Sequence, residues 1–110
     1  MPSDAEYTVL TDYLGGESVA GGKMKEAGLE HWNSPNTGAT NESGFTALPS
    51  GYRERSNGNY YGIEGNGYFW SFSELSSGSA WGRELYYSYA NVRRVSYDKR
   101  NGFSVRCVRN

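Results

Sequence analysis

The side chains best suited to do chemistry lie in the last third of the chain. Tyr86, Tyr87, Tyr89 and Tyr97 are interleaved with Arg93 and Arg94, and Gly82 and Glu84 stand just before them. Tyrosine offers a large amphipathic contact with only two χ angles to freeze, and Ser, Gly and Asn add adaptable hydrogen bonding. That is the chemistry of binding. The chemistry of bond cleavage is poorly represented. The only histidine, His31, sits between Glu30 and Trp32 in a stretch without periodicity, whereas a hydrolase needs a nucleophile with a positioned base. Cys107 is expected to face inward on a strand as a small hydrophobe, a poor setting for a thiolate. The carboxylates are scattered, with none standing out as the pair a glycosidase needs. Neither GxGxxG nor GxxxxGK[ST] occurs, so nucleotide binding has no support. The expectation is a protein that is not an enzyme and has no cofactor. Asn33, Asn36, Asn41 and Glu42 offer oxygen ligands in one loop, which suits a structural Ca²⁺. The same side chains serve as well to hydrogen-bond their own loop backbone, the reading we favour. Asn41-Glu42-Ser43 fits a glycosylation acceptor, a pattern short enough to be common by chance.

Charge is uneven. Residues 1–55 carry 4 basic and 8 acidic side chains, and residues 56–110 carry 7 basic and 4 acidic. The basic half, with Arg93, Arg94, Lys99, Arg100, Arg106 and Arg109, suits an acidic protein, an anionic glycan or nucleic acid. A solvated strand surface explains it as well. No nucleic-acid partner is expected.

The elements that must position these residues come from an unusual composition. The chain has 110 residues, room for one domain. Leu, Ile, Val and Phe number only 17, while Gly, Ser, Asn and Tyr make up 48. So few aliphatics with high net charge would signal disorder, but the net charge is −1 and there are 10 Tyr, 3 Trp and 4 Phe. Each buried aromatic can remove ~150–250 Å² from water, so a folded domain is expected. No window approaches the ~18 apolar residues of a membrane span. Met1-Pro2-Ser3-Asp4 has neither the basic nor the apolar region of a secretory leader. A single cysteine excludes an internal disulfide.

Ser3-x-x-Glu6 reads as a capping box. Tyr7, Leu10 and Leu14 then form one apolar stripe with Val9 and Tyr13 flanking, and Gly15-Gly16 ends it. The expectation is a helix over about 4–14. From Glu17 to Gly44 no period persists. Gly21-Gly22 and Asn33 to Gly38 read as turns, Lys23-Met24-Lys25 as a short strand, and Trp32 as the anchor of a long loop. Short β segments follow at Phe45–Leu48, Tyr60–Ile63 and Gly67–Phe72. The last two are joined by a turn carrying Asn66-Gly67, a strong hairpin signal. Trp81–Tyr89, Val92–Tyr97 and Phe103–Val108 read as a meander turning near Ala90-Asn91 and Asn101-Gly102. Alternation puts Trp81 and Leu85 toward the core and the Glu84 and Tyr86 face outward; it also puts Phe103, Val105 and Cys107 on one face.

Several ordered blocks carry a resemblance. Pro2-Ser3-Asp4-Ala5-Glu6-Tyr7, Ala20-Gly21-Gly22-Lys23-Met24-Lys25, Gly44-Phe45-Thr46-Ala47-Leu48-Pro49, Phe69-Trp70-Ser71 and the ending Gly102 to Val108 resemble the Fibrobacter succinogenes major paralogous domain. That family is common in surface and secreted proteins of Bacteroidetes and is similar to the C-type lectin-like fold of the formylglycine-generating type. The resemblance implies an α+β domain over 1–110, with one N-terminal helix, long loops and a twisted antiparallel sheet from the C-terminal half. It also implies that the N-terminal part usual in the family is lacking, an edge that a second copy of the chain would cover. The enzyme branch of the fold uses paired cysteines or a metal, and with Cys107 alone that activity is not carried over. Some domains of this fold are variable proteins of diversity-generating retroelements, in which adenine-directed mutagenesis rewrites codons near the C-terminus. Gly82 to Lys99 fits that place and composition. The functional expectation is a non-enzymatic binding domain for a protein or glycan, at the cell surface or outside the cell. Its variable surface would comprise Gly82, Glu84, Tyr86, Tyr87, Tyr89, Arg93, Arg94 and Tyr97. The alternative is a carbohydrate-binding or adhesion module without diversification.

Overall fold

The computed structural model describes residues 1–109. Helix α1 spans Asp4–Tyr13. Its start is the expected capping box: the Ser3 hydroxyl accepts from the Glu6 N–H at 3.0 Å, and the Glu6 carboxylate accepts from the Ser3 N–H at 2.9 Å. It ends where Gly15 takes φ +106°. The buried stripe is Tyr7, Thr11 and Leu14 with Leu10 half-buried. Val9 and Tyr13, expected to flank it, are 70% and 86% exposed. Thr11 takes the inner position because its hydroxyl donates to the Thr8 carbonyl at 3.1 Å, leaving its methyl to pack.

A second helix, α2, spans Glu17–Met24, where turns and a short strand were expected. Gly21 and Gly22 do not break it, because other backbones lie against them. A Cβ at Gly21 would sit 2.1 Å from the Asn91 carbonyl oxygen, and one at Gly22 would sit 2.2 Å from that of Gly38. Glycine here permits close approach within a helix rather than a turn. Lys23 and Met24 belong to the last turn of α2, and Lys25, just beyond it, makes an isolated bridge with Ala47. That bridge is all the ladder pairing of the expected strand at Phe45–Leu48. Trp32 anchors the long loop as expected: it is buried, and its indole N–H donates to the Ala47 carbonyl at 3.0 Å.

Five strands follow: β1 Ser50–Arg53, β2 Tyr60–Ile63, β3 Asn66–Glu74, β4 Ser79–Tyr86 and β5 Val92–Asp98. They form one sheet in the order β2-β1-β3-β4-β5. The α+β class is therefore seen, but the sheet is mixed rather than antiparallel, since β1 runs parallel to β3. The Asn66-Gly67 hairpin does not form, and β1 stands between β2 and β3. The chain reverses one step earlier, where Gly62 and Glu64 take φ +75° and +73° and the Gly65 N–H donates to the Gly62 carbonyl. β3, β4 and β5 do pair consecutively and antiparallel. The expected last strand at Phe103–Val108 is not part of that meander. Gly102 bridges Arg53 and Ser104 bridges Phe69, so this segment wedges between the diverging ends of β1 and β3. No main-chain pairing sets the alternation beyond Ser104 among the described residues. Cys107 is accordingly exposed, not inward. Arg106 turns in instead, its guanidinium 4.2 Å from the Phe45 ring centroid and bonded to the Phe45 carbonyl.

One face of the sheet is covered by the helices and the long loop, and the other carries an aromatic layer largely of its own side chains. On one, Phe69, Leu85 and Val92 pack with Tyr7, Leu14, Met24 and Trp32. On the other, Tyr52, Tyr68, Trp70, Tyr97 and Phe103 form an aromatic cluster, with Trp70 and Phe103 stacked at 4.2 Å. An ionic clamp docks α1 on the sheet. Asp4 takes buried Arg83 at 2.7 Å and Arg94 at 2.8 Å, and its N–H donates to the Ser73 hydroxyl at 2.8 Å.

The Arg94 guanidinium, with Arg83 behind it, holds the Asp4 carboxyl below its usual value of 3.8 against the burial that raises it. A carboxylate so lowered stabilises the fold in full above its usual value and loses that contribution as pH falls through its native value. Asp4→Ala, which leaves Arg83 buried without its partner, is expected to cost about 3–5 kcal/mol in urea unfolding at neutral pH. The variant should also lose part of the wild-type stability decline below about pH 4. A neutral-pH cost under about 1 kcal/mol would show that the clamp is a surface pair only.

Candidate ligand-binding surface

The connection from β4 to β5 is held from inside by one lysine. Lys25 is fully buried, and its ammonium donates to the carbonyls of Thr37, Tyr86 and Tyr89, each at 3.0 Å. The Trp32 ring lies 5.4 Å away. Three N–H donors thus meet three acceptors. Burial pushes the Lys25 amine down to about 8, so it keeps its proton at neutral pH, the only form that fills all three acceptors. Two further carbonyls of the connection are also taken: Thr37 N–H donates to Tyr87 and Gly22 N–H to Ala90, both at 2.9 Å. The backbone of the connection is therefore held from inside rather than by its outer side chains.

Those outer side chains frame a cleft of ≈ 320 Å³ lined by Glu84, Tyr86, Tyr89, Asn91 and Arg93. The Tyr86 and Tyr89 rings stack at 5.6 Å with a 26° tilt. Tyr89 is 60% exposed and the Arg93 side chain 62%. The floor is Glu84. Alternation places it on the expected face, but it is only 7% exposed, because residues distant in sequence cover it. Its carboxylate accepts from Tyr68 at 2.6 Å, Arg93 at 2.9 Å and Asn66 at 3.2 Å. Burial first, and then this carboxylate, push the Tyr68 phenol well above its usual range, so Tyr68 stays a donor to Glu84.

Of the eight residues predicted from sequence, Glu84, Tyr86, Tyr89 and Arg93 converge on this cleft. The other four do not. Gly82 is buried in the sheet, where a Cβ would meet the Phe69 carbonyl oxygen at 2.7 Å. Tyr87 packs against the core cluster. Arg94 lies on the opposite face, 3.6 Å from the Trp81 ring centroid and paired with Asp4. Tyr97 shares the Glu84 face but lines a separate depression with Tyr52, Tyr68 and Phe103. Sequence reading missed Asn91, which it took as a turn residue only. It also missed Lys25, which no local pattern distinguishes from Lys23 two residues before it.

The asparagine loop has internal uses. The Asn36 amide donates to the Glu26 and Gly28 carbonyls at 2.9 and 2.7 Å, and Asn41 bonds Thr46 through both side-chain polar atoms. Among the described residues no group of three or more His, Cys, Asp or Glu is placed to hold a metal ion. His31 pairs with Glu26 at 2.9 Å on the surface, and that carboxylate raises its pKa. No helix is long and apolar enough to cross a membrane among the described residues.

Residues 1–109 match the family model described as the Fibrobacter succinogenes major domain. No curated protein and no solved structure matches the chain significantly.

Lys25→Met keeps the side-chain bulk but strands three buried carbonyls. It is expected to cost roughly 3 kcal/mol or more in urea unfolding and to raise amide exchange across 86–90. Tyr89→Ala, at an exposed position, is expected to stay within about 0.5 kcal/mol. Equal costs for the two would refute the division between a buried pin and a free outer surface.

Proposed function

The chain belongs to the Fibrobacter succinogenes major domain family, and from that premise we propose that it is a non-enzymatic ligand-binding domain of C-type lectin-like fold. It displays its contacts at the cell surface or outside the cell and serves as the variable protein of a diversity-generating retroelement. The observation that carries this reading is the contrast at the β4–β5 connection. Its carbonyls are tied to Lys25, Thr37 and Gly22, whereas Tyr86, Tyr89, Asn91 and Arg93 line an open cleft. A protein whose binding residues are rewritten needs such a backbone, because each new side chain must leave the fold unchanged.

The ligand contacts divide by chemistry. Tyr86 and Tyr89 supply stacking area and hydroxyl ends. Arg93 has one N–H on Glu84 and further donors directed by a planar fork, suited to a carboxylate or a main-chain carbonyl of a protein ligand. Asn91 supplies an amide. The diversified set is narrower than residues 82–97. Gly82 has no room for a side chain, and Glu84 and Tyr87 are held by packing or hydrogen bonds.

The second reading is a saccharide-binding or adhesion module without diversification, supported by the same stacked Tyr86–Tyr89 pair. Trp81 is a weaker stacking platform, since Arg94 lies across its ring.

Randomising positions 86, 89 and 91 together is expected to leave most variants folded, each substitution moving stability by about 0.5 kcal/mol or less. Position 93 is expected to tolerate fewer residues, because Arg93 is the cation paired with buried Glu84. Randomising 82, 83 and 84 is expected to leave few variants folded. In the genome, a near-identical template repeat differing at adenines, with a reverse transcriptase beside it, is expected next to the gene; lack of such a repeat removes the diversification claim. Binding on a glycan array that Tyr86→Ala abolishes, without that repeat, would instead favour the second reading.

A further inference from the structure

A second depression lies on the same face of the sheet, at the other end of β5 from the Arg93 cleft. It measures ≈ 380 Å³, within the ~300–1,000 Å³ of small-ligand sites. Tyr68 lines it and donates to Glu84, the floor of the first cleft, so the two share a wall. Nothing in the proposed variable surface requires this second depression.

Its walls are aromatic and braced. Tyr97 and Tyr52 both meet Phe103 edge-on, at 5.4 and 6.2 Å, and Phe103 stacks on Trp70 behind it. Its rim is polar and only partly used. The Asn101 side-chain oxygen accepts from the Arg55 N–H at 3.0 Å. Its amide nitrogen has no hydrogen-bond partner among the described residues, and neither do the terminal nitrogens of Arg55. Glu54 bonds Ser56 through one oxygen, at 3.2 Å, leaving the other oxygen open. Asp98 is fixed by the Arg100 N–H at 2.8 Å and the Arg100 guanidinium at 3.0 and 3.1 Å, with Arg55 at 3.6 Å.

Charge narrows the ligand. Arg55 and Arg100 balance Glu54 and Asp98, so an ion of either sign gains little net attraction. An apolar ligand would strand the open groups of Asn101, Arg55 and Glu54 away from water. A neutral polyol meets both conditions. Its hydroxyls donate to carboxylates and accept from amide and guanidinium, and the C–H face of a sugar ring rests on the electron-rich faces of aromatic rings. The geometry points to a binding site for one neutral pyranose unit of a saccharide in the Tyr52–Tyr97–Phe103 depression, held at its rim by Arg55, Asn101 and Glu54.

Trp70 reports on this site through its contact with Phe103. The test is titration of the full chain with neutral pyranoses (glucose, galactose, mannose and N-acetylglucosamine) and with glucuronate, followed by tryptophan fluorescence and amide chemical shifts. At least one neutral sugar is expected to give a saturable change at millimolar concentration, with amide shifts at Tyr97, Asn101 and Phe103. Arg55→Ala, at an exposed position, is expected to keep the wild-type melting temperature. Asn101→Ala, which gives up the bond from the Arg55 N–H, is expected to stay folded with a somewhat lower one. Both are expected to lose affinity by about tenfold. Tyr89→Ala, in the other cleft, should bind as wild type. The assignment is overturned by the absence of saturable change with every neutral sugar, by glucuronate binding more tightly than glucose, or by loss of binding in Tyr89→Ala with retention in Asn101→Ala. Failure here leaves the variable-surface reading standing, because that reading is tested at positions 86 to 93.

Discussion

The Lys25 ammonium stands where three separate parts of the chain would otherwise point carbonyl oxygens at one another. Thr37 comes from the long loop, Tyr86 from the end of β4 and Tyr89 from the turn that follows. Three such dipoles facing each other in a dry interior are costly, and the cation converts that conflict into the reason the segments meet. Its reach is long, since Lys25 lies 61 positions before Tyr86. Because the inner side of the connection is settled this way, its outer side needs no particular residue to keep its shape. The surface and its support are thus separate in sequence as well as in space.

The same economy of aliphatic residues explains the other buried charges. Arg83 lies under α1 with Asp4, and Glu84, the next residue along β4, lies on the opposite face with Tyr68 and Arg93. Adjacent residues on one strand therefore direct two different layers: Arg83 fixes where the helix docks, and Glu84 fixes how the aromatic layer sits. A core of Leu and Ile alone would be tolerant of register. Buried polar groups that need particular partners are less so. In a chain with only 17 Leu, Ile, Val and Phe, these directed contacts do part of the specifying that apolar packing does elsewhere.

What could be read from the sequence was local. The Ser3–Glu6 box and Gly15 mark both ends of α1, and the alternation of β4 and β5 puts Glu84, Arg93 and Tyr97 on one face. What could not be read depends on contacts between distant segments. Gly21-Gly22 looks the same whether it turns or lets Asn91 and Gly38 come close. Ser50 to Arg53 is short, polar and bent at Gly51, so β1 had no strand signature, and without β1 the Asn66-Gly67 signal had no competitor. Exposure of Glu84 followed from alternation only while Tyr68 and Phe103 were not known to cover that face. Half of the predicted surface converges on one cleft because composition located the right segment; strand geometry then decided which of its residues face the same way.

The wedge of Gly102 to Ser104 bears on the order in which the molecule can be assembled. β1 and β3 touch through a single register pair, Gly51 with Gly67, before they diverge, and the gap is filled by residues synthesised some 35 positions after β3 begins. On the ribosome, then, the aromatic side of the sheet stays open until Phe103 has emerged, with Trp70 waiting for it. Such late, non-local closure slows folding and exposes strand edges in the interval. Every release of an incomplete chain upstream of Phe103 would yield a sheet with a seam, so the stretch from Gly102 to Ser104 acts as a completeness check on this domain.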